Sequence, residues 1–532
     1  MRIVIIGAGI AGLGSYLFLL KHLLHDDPNA HSINIYESYD IRRDVSTNSE
    51  EVNVQPSGEP LFTPKAIGNA IGIGKNGLAV LSRIGKDEEV LKKIQAVGQP
   101  VTKWKMGTAR GWTIVDAAVS STRKDDRTIA DTVMIARQVA WEVLRDEVLN
   151  HNPGAVIKKK VIKLDSLPSG KILLEFEGGS DDTADLVIGA DGLRSIVRRT
   201  MFDNTNDFEA QTWSDRLLGR PKKKKDYITP HYEGLTGLGG FVPSEILKQT
   251  GFQRGSMAIT FGPNGFFGHG YIGDVTNQSS TASDSVSQPD GVGPVAAWWS
   301  TFSSKSPVPF QQHNTPSSTA STPGVSTKFD KEAALSSLVN RHKFWRDPTI
   351  KAILKYVSEK GTIEHTYPTY TTPELPTWQH NGNLVLIGDA AHALQPSSGQ
   401  GACQALEDAE SLALFLKHHL QSAKIASITD PTRLQANERD AVNRALTSFV
   451  LLRKPRIAKI YKQSQKMSKM KSDVNVVVEF LMYFFIWLAT KFQTWKQYND
   501  ELFEYDVPAE VAMAIHEDEK LCTVSDGPGL EG

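Results

Sequence analysis

The chain has 532 residues, 40% hydrophobic and 22% charged, with a net charge of −1; it can bury more than one core and carries no overall basic field for nucleic acid. Its two cysteines, Cys403 and Cys522, exclude a disulfide framework and a cysteine-rich metal site, and they fit a reducing, intracellular compartment.

The apolar run 3–6 leads into Gly7, Gly9, Ala11 and Gly12 and then into helical sequence to His22. This is strand, glycine turn and helix: Gly7 permits the tight turn, Gly9 lets backbone N–H groups approach a pyrophosphate, and Gly12 lets the helix lie close to its strand. A second strand, 32–36, ends at Glu37, placed to accept hydrogen bonds from a ribose and to repel a 2′-phosphate; the pair predicts an FAD or NAD grip. The uncharged run 3–20 also suits a signal segment, but the glycine spacing and Glu37 favour the buried βαβ unit. A second match to the spacing, at Gly72, Gly74 and Gly77, follows no apolar strand and reads as a loop.

Residues 39–67 read as an extended loop, with Arg42 and Arg43 in reach of an adenine. Helical spacing returns at 76–85, and residues 101–116 alternate like strands around Trp104, Met106, Trp112 and Ile114. The segment from Met134 to Leu144 predicts a helix with Arg137 in its first turn. A cation there opposes the helix dipole, so either a phosphate explains it or it is a tolerated surface arginine. Paired strands are expected over 155–177, then an apolar strand ending in Gly189, Asp191 and Gly192, with Ser195 and Arg198 in the next helix. The lysines at 222–225 read as a solvated loop.

From 234 to 271 the sequence is glycine-punctuated and β-rich, suited to an antiparallel sheet with one face on a ligand, and Trp298 and Trp299 can close it. Tyr232, beside His231 at the entry to this sheet, is the candidate donor or base for a phenolic substrate, weighed against a plain strand aromatic. Two tracts rich in Ser, Thr, Pro and Gly, 274–294 and 303–328, read as disordered insertions. After helical sequence from 331 to 355, a third apolar strand ends in Gly388 and Asp389. Beyond Pro396, the residues Gly399, Gln400, Gly401 and Ala402 open a long helix through Glu407 and Asp408, and His392 reads as structural.

These three motifs, in this order, resemble those of the FAD-dependent aromatic hydroxylases, the single-component flavoprotein monooxygenases. The likeness covers residues 1 to about 465, insertions excluded, and departs from the common pattern at Ala393, where proline is frequent. The resemblance implies an α/β fold: a Rossmann-like, three-layer FAD-binding domain (1–200 and 331–465), an inserted, mainly antiparallel substrate sheet (201–330, joined by 101–118), and a helical C-terminal extension (466–532). It implies that Glu37 binds the adenosine ribose, Arg137 the phosphates and Asp389 the ribityl chain or ribose, while backbone at Gly401 and Ala402 faces the isoalloxazine. Asp191 would serve FAD and a passing NADPH or NADH. The implied reaction uses O2 through a flavin C4a-hydroperoxide to hydroxylate an aromatic or polyketide-like small molecule, with alkene epoxidation as the rival. A non-catalytic binding protein of the Rab-escort type shares the fingerprint, but the motifs at Asp191 and Asp389 argue against it.

The tail carries lysines from 462 to 471 and then a strongly apolar, aromatic run at 476–489, interrupted by Glu479. It is too short to span a bilayer. It reads first as a helix docked on the body or on a homodimer mate, then as a peripheral membrane helix or a cap on the substrate entrance. Residues 508–532 are expected to fray.

Overall fold

The computed structural model describes residues 1–24, 31–41, 69–118, 120–122, 128–205, 207–208, 221–222, 224–273, 295–307, 309–310, 329–363, 366–426, 434–469, 471, 473–491 and 500–525. Arg42, Arg43, the tract 274–294 and most of 303–328 lie outside them.

Three uniformly apolar runs become the centre of a six-stranded sheet, ordered Val156–Lys158, Ser32–Glu37, Arg2–Ile6, Leu186–Gly189, Leu384–Leu386, Gln379–His380. The first five are mutually parallel, with Ile3 opposite both Ile33 and Leu186 and Val187 opposite Leu384; Gln379–His380 is antiparallel. Strands covered on both faces need no polar alternation, which is why these runs are continuous. Helix Ile10–Leu19 packs on helix Gly401–Ala426, where a Cβ at Gly14 would touch Leu406 and Ala409.

The second sheet has seven strands, ordered Thr366–Thr371, His231–Pro243, Val295–Ser303, Gly265–Tyr271, Ser256–Gly262, Lys103–Thr108, Thr113–Ala118, all antiparallel except the fifth with the sixth. One face, through Leu238, Val242, Phe267 and Trp298, is buried under helices Lys331–His342 and Pro348–Lys360. Residues 331–363 and 366–371 therefore pack with the substrate sheet, not with the nucleotide-binding part to which sequence assigned them. Their helical pattern cannot say which sheet they cover.

Three other expectations change. Ala70–Gly74 is a strand paired with Thr132–Ala136 and runs into helix Lys75–Leu81, so the second glycine match is a strand–helix junction and not a loop. It offers no phosphate site, because a Cβ at Gly74 would strike Phe503 and one at Gly77 would strike Cys403. Met134 to Ala136 belong to that same small sheet, and the helix begins at Arg137. The C-terminal segment does not fray at 508: helix Val507–Ser525 buries Val507 and Val511 in the main core.

Candidate functional site

The parallel strands all end at one edge, where ligands bind in open α/β sheets. Gly7, at φ +102°, lies so close to Ala190 that a Cβ would sit 2.5 Å from its carbonyl oxygen, and Gly12 lies against the Gly7 carbonyl. A Cβ at Gly388 (φ +55°) would be 2.9 Å from Ala11 and 3.4 Å from Ala405. The three motifs, far apart in the chain, thus meet in one cluster, with buried Ala11 as a packing surface.

Around this cluster Gly9, Gly192, Gly399 and Gly401 face open space, with nothing within 4 Å of a built Cβ. Gly192 (φ +74°) and Gly399 (φ +63°) are also called for by their backbone conformation, whereas Gly9 and Gly401 have neither a positive φ nor a close neighbour to explain them, and their place beside the strand ends leaves room for a bound group. The starts of the Ile10–Leu19 and Gly401–Ala426 helices meet at this cluster, and such helix starts carry N–H groups with no partner inside the helix, a lining suited to an anionic dinucleotide.

Glu37 ends its strand beside the glycine loop and accepts from the Ala8 N–H at 2.7 Å, from Ser38 Oγ at 2.9 Å and from the Tyr39 N–H at 3.1 Å. Arg137 is exposed at its helix start and makes no side-chain hydrogen bond or ion pair among the described residues; its backbone N–H donates to the Asn69 carbonyl. One turn on, the Trp141 indole donates to the Ala8 carbonyl at 2.7 Å, anchoring that helix to the glycine loop. Asp389 exposes its side chain, while its carbonyl accepts from Thr372 Oγ1.

Asp191 takes a structural task as well. Its Oδ2 accepts from the N–H groups of Ile196 and Val197 at the start of helix Ile196–Phe202, and its Oδ1 is buried without a partner. Burial raises its carboxyl above the ordinary range, with Ser195 and backbone hydrogen bonds opposing. Arg198, fully buried, donates to the carbonyls of Ala390, Leu193 and Ile228 and ties two motifs together.

Beneath Gly388 and the start of the Gly401–Ala426 helix lies a buried polar network. Arg453 donates to Glu407 at 2.6 Å and to Asp408 at 2.9 Å; Arg456 makes two bonds to Glu407; Asn76 joins Glu407 to Gln400, and Gln404 bridges the same pair. Asp408 also accepts from the Gly388 N–H and from His392 at 2.5 Å. Burial alone would raise Glu407 and Asp408, but the facing cations hold both below the ordinary carboxylate range. His392 is held here as a structural residue. The network fixes Gly388 and the Gly401 helix start in one position, which a site needs to hold a flavin at fixed geometry.

The sequence reading missed Trp141, Asn76, Arg453 and Arg456. The available signal was the pair Glu407 and Asp408 inside an apolar helix, which demands buried cations. Tyr232 is not brought to the cluster: its hydroxyl is shared with Thr236 Oγ1 at 2.9 Å and faces the carbonyls of Ser304 and Ser306, and Thr236 is fully buried. Burial lifts the Cys403 thiol to about 12, so it is no nucleophile. Among the described residues no cluster could hold a metal ion.

The FAD binding domain family matches residues 372–447, the stretch holding Asp389 and Gly401. Salicylate hydroxylase of Pseudomonas putida is 22% identical over 435 residues, 78% of this chain and 76% of that protein. Zeaxanthin epoxidase of Nicotiana plumbaginifolia is 26% identical over 65% of the chain, and FAD-dependent monooxygenase penE of Penicillium thymicola is 24% identical over 62%; the matches span only 42% and 57% of those two proteins. In fold the chain is similar to a salicylate hydroxylase substrate complex (TM-score 0.60, 18% identity, 97% and 98% of the two chains). It is likewise similar to CtdE with FAD and its substrate (0.62, 15%, 98% and 100%).

Proposed function

The chain is an FAD-dependent monooxygenase related to the aromatic hydroxylases, and on that premise we propose that it uses NADPH or NADH and O2 to hydroxylate an aromatic or polyketide-like small molecule. The observation that carries this reading is the run of open glycines from Gly9 to Gly401, anchored at Gly388 and set beside the seven-stranded sheet. The sheet meets the cofactor elements twice. Asn69, bonded to the start of the Arg137 helix, lies against Gly239, and Thr372, next to the edge strand Thr366–Thr371, bonds Asp389.

Glu37 would hold the adenosine ribose, Arg137 the phosphates and Asp389 the ribityl hydroxyls or ribose. Uncommitted N–H groups at Gly401 and Ala402 would stabilise negative charge on the flavin. Asp191, with Oδ1 free, would face FAD and the passing nicotinamide. Bound FAD, reduced by the nicotinamide cofactor, supplies O2 activation and transfer of one oxygen atom to substrate. The chain's own work is to orient the substrate and exclude water. Gly237, Gly239, Gly268, Trp299 and Thr301 share the sheet face opposite the helices and would form the substrate wall. Tyr232, its hydroxyl committed to Thr236, would stay outside that wall.

The likeness to zeaxanthin epoxidase favours one second reading, epoxidation of an alkene at the same site. A panel of phenols, polyketide-like aromatics and alkenes, scored for stimulated NAD(P)H oxidation and for product mass, separates the two. A product heavier by one oxygen and retaining a phenolic ring supports hydroxylation, whereas oxygen gained at an alkene with loss of the double bond moves the assignment to epoxidation.

A further inference from the structure

The C-terminal helix Val476–Lys491 has two apolar faces, one turned inward and one turned outward. Met482, Tyr483 and Ile486 pack inward on Met106, Phe261 and Phe266 of the substrate sheet, and Tyr483 donates to the Phe261 carbonyl at 3.0 Å. Glu479, fully buried, receives two bonds from Arg110. The other face leaves Val477, Phe480, Leu481, Phe484, Phe485 and Trp487 between 43% and 69% exposed.

The patch extends beyond the helix. Trp112, at 54% exposure, packs against Phe480 with the rings tilted and their centroids 5.8 Å apart. The adjoining Gly111 touches Arg346, two residues from Phe344, itself 80% exposed. An apolar surface of this extent marks an interaction site.

Charge selects the occupant. Arg110 lies over the Phe480 ring and Lys343 over Phe344, and Arg346 is exposed beside Gly111. Among the described residues no carboxylate pairs with Lys343 or Arg346; Glu479 neutralises Arg110, Asp473 is paired with Arg341, and Asp347, next to Arg346, accepts from the Thr349 and Ile350 N–H groups at its own helix start, so the cations that give the rim its charge are Lys343 and Arg346. In a two-fold dimer built on this patch the basic rim would face itself. Facing a bilayer it meets anionic headgroups, while the aromatic face enters the acyl boundary. Among the described residues no helix is long and apolar enough to cross a membrane, which leaves binding in the plane of the interface.

We propose that this helix face, with Trp112 and Phe344, is a docking surface for an anionic lipid bilayer, holding the substrate sheet beside the membrane. The test is co-sedimentation of the full flavin-loaded chain with phosphatidylcholine vesicles, with and without phosphatidylserine, alongside its sedimentation velocity without lipid. The expected result is binding that rises several-fold with phosphatidylserine, weakens with added salt and is lost in the double variant Phe484→Glu, Trp487→Glu, whose flavin content is unchanged because both side chains point outward. Absence of vesicle binding by the wild type overturns the proposal. So does a wild-type dimer that the double variant converts to monomer, which assigns the face to a second copy.

Discussion

Single residues here divide between those that pack and those that leave space. Gly12 belongs to the first kind: with the Gly7 carbonyl 1.9 Å from a built Cβ, Gly12→Val is expected to yield little soluble protein, as read by expression and circular dichroism. Arg453 is decisive in another way. It is fully buried against Glu407 and Asp408, and removing one partner of a buried ion pair strands the other charge at a cost of about 3–5 kcal/mol. Arg453→Met should therefore lower the urea midpoint sharply, while Arg137→Ala, at an exposed helix start, should leave the midpoint of the flavin-free protein unchanged and weaken FAD retention. Glycine spacing and the terminal acids Glu37 and Asp389 were legible in the sequence because a phosphate-binding turn tolerates few alternatives. Arg453 and Arg456 were not: a charged helix position gives no sign of pointing inward until its partner helix is placed.

At the scale of elements, the long apolar strands and capped helices were readable, and the short strand Ala70–Gly74 was not, since Ile71 and Ile73 alternating with small residues over five positions are too brief a pattern to outweigh the glycines around them. Helix Gly401–Ala426 was legible at its start but not in its depth, because the acids Glu407, Asp408 and Glu410 can lie buried only where cations from other elements meet them, and those elements are far away in the chain. The layer of two helices on the substrate sheet carries its own pH sensitivity. His269, fully buried between Phe252 and Phe267 with neither ring nitrogen bonded, is pushed by burial to about 4; His342, bonded to Ser300, is pushed to about 3. Asp347 works against the shift at His269 and Lys105 with it. Both imidazoles are neutral in the fold and take up protons from about pH 6.5 when unfolded, so the unfolded state binds more protons and stability falls as pH drops from 6.5 toward 4. Urea midpoints should report a loss of about 2 kcal/mol per imidazole between about pH 7.5 and about pH 5. The loss should shrink in His269→Leu; an equal loss in that variant would remove His269 as its source.

Across the whole molecule, two sheets of different pattern are joined by elements that cross between them. Continuous apolar runs announced the parallel sheet and glycine-punctuated alternation announced the antiparallel one. Non-local pairing was only partly visible: the family resemblance joined 101–118 to the substrate sheet, where Lys103–Thr108 pairs with Ser256–Gly262, but neither its parallel sense nor Thr366–Thr371 at the far edge could be read from the residues. No local pattern encodes a partner 150 residues away. The central claim is that the open glycines of the parallel-strand edge hold FAD, and the visible absorption spectrum of the purified chain beside Gly9→Val tests it most directly. Gly9 faces empty space, so the variant should fold with an unchanged circular dichroism spectrum yet lose its flavin absorbance, while the wild type carries one FAD per chain. A wild type without flavin, or a folded Gly9→Val that retains as much flavin as the wild type, would contradict the account.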